Sequence, residues 1–411
     1  MTPSVPRSRW LNSTVLGIGL ASLFSDWSHE IATSLLPGFL AYLGVAAVWL
    51  GLIEGVADGL SSFAKMGSGH FTDRLQRRKP IMVIGYLVTT AGTACFGLAT
   101  TAWQVLLCRS AAWLGRGVRT PVRKALLAAA VTPDTYGRAF GFERMMDTLG
   151  AVVGPLTALG LLGLLGTNYP LLFSLTLIPG VMACGCIAFG VREKSRPKVK
   201  YISFRESLRG LPPRYRRLLV AVGLFGLGDF AHSMLILLAT QRLAPTLGIE
   251  AAARWAVGLY VVHNILYAGF SYLTGMLADR LNKRYLLAGG YGLAAVMALL
   301  IIVLPASPWL LGLVFVVGGI YIAMEETLED SFCAELTDEA QHGMAFGVLA
   351  TVNGVGDFAS SVIVGALWSW LGTGAAFSYS LVLFVVGALM VLGIGRETPK
   401  NGAVASDAPT S

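Results

Sequence analysis

The sequence predicts an all-α membrane protein, with twelve transmembrane helices arranged as two pseudo-symmetric six-helix bundles. Three observations carry this expectation. The chain of 411 residues is 55% hydrophobic and 13% charged, with a mean hydropathy of +0.66; a soluble domain carries about twice that share of charge. Apolar runs long enough to cross hydrocarbon, about 20 residues each, recur along nearly the whole length. The chain also repeats itself at one constant offset.

The runs place spans at 13–43, 47–70, 80–101, 103–125, 137–163 and 167–190, then at 216–243, 254–278, 284–305, 307–331, 342–368 and 373–394. Several exceed a perpendicular crossing, which implies tilt or kinks; Pro37 and Pro155 are the candidate kink sites. Residues 1–191 form the first bundle, 192–215 a basic linker, 216–395 the second bundle and 396–411 a disordered tail. Arg192 to Arg217 holds ten Lys/Arg and two Glu, a net +8 that equals the excess of the whole chain. Charge confined to one such loop reads as topogenic rather than as a nucleic-acid surface. The clusters Arg74–Lys79, Arg119–Lys124, Arg280–Arg284 and the tail from Arg396 fall on the same side. Both termini are therefore expected to be cytoplasmic, in a plasma (inner) membrane. Arg7 and Arg9 precede a run too long for a cleaved signal peptide. The five cysteines lie in or beside apolar runs, with no disulfide or zinc spacing, and read as buried small hydrophobes.

The repeat fixes the two-bundle organisation. Gly69, Asp73, Arg74 and Arg78 recur 206 residues later as Gly275, Asp279, Arg280 and Arg284. The same offset carries Gly137-x-Ala139-Phe140-Gly141 onto Gly343-x-Ala345-Phe346-Gly347, Gly150 onto Gly356 and Trp49 onto Trp255. Two parallel copies of a six-span unit around a central site are a transporter architecture. Asp26-Trp27-Ser28-His29 in span 1 aligns with Asp229-Phe230-Ala231-His232 in span 7 at an offset of 203.

Gly69-xxx-Asp73-Arg74-xx-Arg77-Arg78 resembles the signature loop of the major facilitator superfamily, with Gln76 where that family usually has Gly. The resemblance covers nearly the whole chain and implies two bundles around a mid-membrane cavity that opens to one side at a time. It also implies that Asp73 and Arg74 form a gating pair, while Arg77, Arg78 and Lys79 read as topogenic charge. In span 5, Gly141, Gly150, Gly154 and Pro155 resemble the motif of the family's proton-coupled antiporters, with Ala158-Leu159 replacing the closing Gly-Gly. Generic small-residue packing is the structural reading of the same glycines. Arg109 in span 4 resembles a further family motif, but Gly115 and Gly117 follow two residues too far on.

Ionisable groups at membrane depth are costly and mark pathways. Asp26, His29 and Glu30 share one helical face. Asp58, Asp229, His232, His263 and Asp357 are the remaining candidates for binding substrate or protons. A carboxylate beside an imidazole can hold and pass a proton near neutral pH. The resemblance places spans 1 and 7 at the cavity, so the two Asp–His pairs are expected to face each other; the structural alternative is a pair of helix-bracing hydrogen bonds. A second cluster holds Arg116, Arg119, Arg123, Glu143, Arg144 and Asp147 in the first half, and Glu325 and Glu329 in the second. At the offset of 206, Arg119, Arg123 and Lys124 meet Glu325, Glu329 and Asp330, which suits gate charges that pair across the halves.

The resulting expectation is a secondary active transporter of a small molecule or ion, proton-coupled and biased toward efflux by antiport, working as a monomer in the bilayer. No Walker loop, enzyme constellation or cofactor motif is visible. The alternative is a transition-metal or metal-chelate transporter using the same Asp and His residues. A non-transporting receptor is a remote third reading, since it needs no ionisable groups buried in both halves.

Overall fold

The computed structural model describes residues 10–45, 48–193 and 203–395. The tail 396–411 and residues 194–202 of the basic linker lie outside the described residues. Helices fill the sequence in the expected order. Span 1 is α1 (Ser13–Tyr42), started by Asn12, whose side chain accepts from the Thr14 and Val15 amides. Spans 2 to 5 are α2 (Val48–Arg74), α3 (Lys79–Ala94), α4 (Ala102–Ala129) and α5 (Tyr136–Leu165). Thr101 opens α4 through a reciprocal cap with Gln104. Span 6 is divided into α6 (Tyr169–Leu175) and α7 (Leu177–Gly185), and the Thr176 carbonyl at the break accepts from Ser28 Oγ at 2.8 Å. A short helix, α8 (Phe204–Arg209), lies in the linker.

The second half begins with a difference. The run read as one span at 216–243 is two helices, α9 (Pro213–Gly226) and α10 (Ser233–Leu247), separated by an unwound segment at Asp229-Phe230-Ala231. Gly223, Gly226 and Gly228 precede the break, and glycine is the residue that most weakens a helix interior short of proline. The freed Asp229 carbonyl accepts from Ser360 Oγ, and the Ala231 amide donates to Ser361 Oγ at 3.2 Å. Neighbouring hydroxyls thus satisfy backbone groups that lipid cannot. Pro37 and Pro155, by contrast, sit inside unbroken helices. Spans 8 to 12 are α11 (Ile249–Ala278), α12 (Lys283–Val303), α13 (Pro308–Leu336), α14 (His342–Leu371) and α15 (Thr373–Leu392).

Among the described residues, eight spans qualify as membrane-crossing by length and apolarity alone. Those that do not are spans 1, 2, 4 and 7, the ones loaded with ionisable residues or broken. The twelve-span reading needs the repeat as well as hydropathy. The halves pack α2 against α14 and α5 against α11.

Candidate functional site

At the end carrying the two signature loops, the halves are clasped by a symmetric exchange. The Asp73 carboxylate, at the end of α2, accepts from the Gly343 and Met344 amides at 2.8 and 2.7 Å, which open α14. The Asp279 carboxylate, at the end of α11, accepts from the Gly137 and Arg138 amides at 2.7 and 3.2 Å, which open α5. Gly137 and Arg138 are the repeat equivalents of Gly343 and Met344. Each acid thus caps the positive end of a helix in the other half. The approach depends on glycine: a Cβ on Gly69 would overlap the Gly343 carbonyl, and one on Gly275 the Gly137 carbonyl.

Asp73 pairs with Arg78 at 3.2 Å, while Arg74 contacts His70. Arg78 is no solvated topogenic charge: it is fully buried, and its Nε donates to the Thr72 carbonyl at 3.1 Å. Lys79 Nζ donates to the Ala188 and Val191 carbonyls, and the Glu193 carboxylate accepts from the Arg78 and Lys79 amides. In the second loop Arg280 is exposed, and Arg284 Nη1 donates to the Ile394 carbonyl at 2.7 Å. Arg138 Nε adds an ion pair to Asp279 at 2.6 Å.

Above the clasp lies a buried charge layer. Lys124 and Asp330, repeat equivalents of opposite sign, meet across the halves at 2.6 Å. Arg144 crosses to Glu326 at 2.7 Å and Asp330 at 3.8 Å. The other expected partners stay within their own half. Arg123 binds Glu143 at 2.9 Å, Asp147 at 3.5 Å and the Ser22 hydroxyl at 2.7 Å. Arg119 stacks on Tyr86 at 3.8 Å instead of meeting Glu325. Glu329 accepts from Tyr291 Oη at 2.5 Å and Asn353 Nδ2 at 2.7 Å.

Deeper in the first half, Trp113 organises the polar groups. Its Nε1 donates to Asp58 at 2.6 Å, His29 packs on its ring at 4.3 Å, and Arg109 lies over it at 3.6 Å. Arg109 also binds both oxygens of Glu54, at 2.9 and 2.8 Å. Arg116 reaches Asp26 at 3.3 Å, and His29 Nε2 lies 3.6 Å from Glu30. The span-5 glycines serve close packing: Gly150 and Gly154 meet α1 at Leu23 to Glu30, and Gly141 meets α11 at Ser271.

In the second half, the broken span opens onto a cavity of about 410 Å³. Asp229, His232, Glu325, Glu326 and Asp357 line it, together with Tyr260 and Asn353. Tyr321 Oη donates to Asp229 at 3.0 Å. His263 is buried against His232, with ring centroids 5.1 Å apart. The two Asp–His motifs are not brought into contact: no hydrogen bond or ion pair among the described residues joins Asp26 or His29 to Asp229 or His232. Among the described residues, no group of three or more His, Cys, Asp or Glu could hold a metal ion.

A family model for the Major Facilitator Superfamily matches residues 18–324 and 218–410. The chain belongs to the major facilitator superfamily. It is similar to an uncharacterized MFS-type transporter of Methanocaldococcus jannaschii, 27% identical over 386 residues, 94% of this chain and 96% of the relative. An uncharacterized protein of Mycobacterium tuberculosis is 25% identical over 410 residues, 95% of each chain. A multidrug resistance protein of Citrobacter koseri, MdtH, is 35% identical over only 111 residues, 26% of this chain and 28% of the relative. Among solved structures, the human organic anion transporter MFSD10 (TETRAN) superposes with a TM-score of 0.77 at 17% identity, covering 92% of this chain and 99% of that one. FucP in the outward conformation gives 0.73 at 14% identity, over 94% and 100%. The protein is an integral membrane transporter of that superfamily.

Within this superfamily frame, sequence reading missed the residues that hold the charges in place: Trp113, Tyr291, Tyr321 and Asn353. Two had a readable signal. Trp113 lies four residues after Arg109 and three before Arg116, and Tyr321 four before Glu325, spacings that stack side chains on one helical face.

Proposed function

We propose that this protein is a proton-coupled secondary transporter, exporting a small solute by antiport as a monomer in the plasma membrane. The signature-loop end and both termini are cytoplasmic in this reading. The observation that carries it is the layer of ion pairs Lys124–Asp330 and Arg144–Glu326, which joins the halves at that end beside the two Asp-capped helix starts. Such a layer closes the cytoplasmic side while the cavity beyond it stays accessible from outside. Opening the cytoplasmic side requires these pairs to separate, and a proton on an acidic partner makes separation cheaper. Asp26 on Arg116 and Asp229 at the unwound span are the carboxylates assigned to proton handling. The partial match to a multidrug resistance protein agrees with the export direction. The metal reading is the weaker one, because the donor residues do not gather around one point.

The test is flux in proteoliposomes under an imposed pH gradient, with drugs, amines, organic anions and metal ions presented in turn. A solute whose uptake into the vesicle collapses the gradient, and whose flux stops when an uncoupler is added, is the expected result. Flux of a solute that is indifferent to the gradient would overturn the coupling.

A further inference from the structure

The two halves neutralise their buried charge differently. In the first half, arginines of α4 meet carboxylates of α1, α2 and α5. In the second half, every Lys and Arg from residue 218 to 395 lies near a helix end or a loop: Arg242, Arg254, Arg280, Lys283 and Arg284. Its mid-span carboxylates must find counter-charge elsewhere. Glu326 and Asp330 take Arg144 and Lys124 from the other half. Glu329 and Asp229 accept from neutral donors.

Glu325 has neither. It is 6% exposed, lines the 410 Å³ cavity, and its Oε2 is buried with no hydrogen-bond partner. Asp357 lines the same cavity from α14, within electrostatic reach of Lys65 of α2. His232 presents an unpartnered Nε2 to the same space. Tyr260, Phe230 and Ile322 supply an apolar and aromatic wall. A buried carboxylate without a partner takes up either a proton or a cation. The donors are too dispersed to chelate one metal ion. They suit a charge spread along an extended molecule, with aromatic faces beside its methylenes.

We propose that this cavity is a binding site for organic cations bearing ammonium or guanidinium groups, held by Glu325 and Asp357. The assignment deepens the transporter reading and rests on it for the cargo's passage, but binding itself needs no flux. Glu325 thereby leaves the set of gate charges and joins the substrate site.

The experiment measures binding of radiolabelled spermidine, agmatine and tetraethylammonium to the purified full-length protein in detergent, by scintillation proximity. At least one of them is expected to bind saturably, and to bind more than tenfold more weakly in Glu325→Gln and in Asp357→Asn. Glu325→Asp retains the charge and is expected to recover part of the affinity, which separates charge recognition from loss of fold; a monodisperse elution profile checks each variant. No saturable binding of any of the three, or binding unchanged in both neutralised variants, overturns the proposal and leaves these carboxylates holding protons only. Carboxylate-dependent binding without gradient-driven flux keeps the cation site and removes proton coupling. Gradient-driven flux of another solute, with no cation bound, does the reverse.

Discussion

Replacing Asp73 with Asn perturbs the clasp at one defined point. The carboxylate holds two α14 amides at 2.8 and 2.7 Å and the Arg78 guanidinium at 3.2 Å. Asparagine keeps one acceptor oxygen, so one amide loses a charge-assisted hydrogen bond of about 1.5–3 kcal/mol. The lost negative charge at a helix start adds about 0.3–2 kcal/mol. A combined loss of about 3 kcal/mol corresponds to roughly a hundredfold shift away from the state closed at the signature-loop end. Spin labels at Thr167 and Thr373, repeat equivalents in the loops at the opposite end, report that shift. In a cysteine-free background the distance between them is expected to shorten in Asp73→Asn, because the far end closes as the near end opens. Asp279→Asn is expected to act in the same direction, since it caps α5 as Asp73 caps α14. A distance distribution identical to that of the parent protein in both variants would refute the clasp as a determinant of conformation.

Lys124→Gln and Asp330→Asn each strand a buried partner and are expected to cost about 3–5 kcal/mol in detergent unfolding; the double variant should recover part of that loss, and simple additivity would mean the pair is not coupled. Asp26→Asn and Asp229→Asn are expected to abolish gradient-driven flux while substrate counterflow survives; loss of counterflow as well would place them in substrate binding instead. For topology, single cysteines at Ser195 and Thr167 should be labelled from opposite sides of the membrane, and labelling of both from outside intact cells would refute that arrangement.

Much of this was legible because it is written twice. The offset of 206 joins Asp73 to Asp279 and Gly137 to Gly343, and the structure turns that repetition into a reciprocal clasp. It also anticipated Lys124 opposite Asp330. What the offset cannot give is partner choice inside a half. Arg123 had several acids within reach by sequence, and only packing brought Glu143 and Ser22 to it. The break in span 7 was illegible to hydropathy because Leu, Phe and Gly keep the average apolar across an interrupted helix. Its cause lay in backbone preference and in Ser360 and Ser361, which are distant in sequence. The burial of Arg78 was illegible for a related reason: a basic residue in a loop is ordinarily solvated, and this one is held by the Thr72 carbonyl and the Asp73 carboxylate.

The repeat equivalents also show how a symmetric scaffold acquires a polarised interior. Arg123 contacts Asp147 at 3.5 Å in the first half; 206 residues later the same two positions are Glu329 and Asn353, in contact at 2.7 Å. The geometry has been kept and the chemistry changed from an ion pair to an acid with a neutral donor. Arg119 and Glu325 carry the same divergence further: both are buried, but the arginine rests on the Tyr86 face while the glutamate turns an unpartnered oxygen toward a cavity. A neutral donor stabilises a carboxylate less than a guanidinium does, which is the asymmetry that the proposed proton and cation sites use. The first half, internally paired, can serve as the rigid body against which the second rocks. In the proposed mechanism the clasp repeated in both halves holds the closed state, and the diverged layer carries the charges to which opening is coupled.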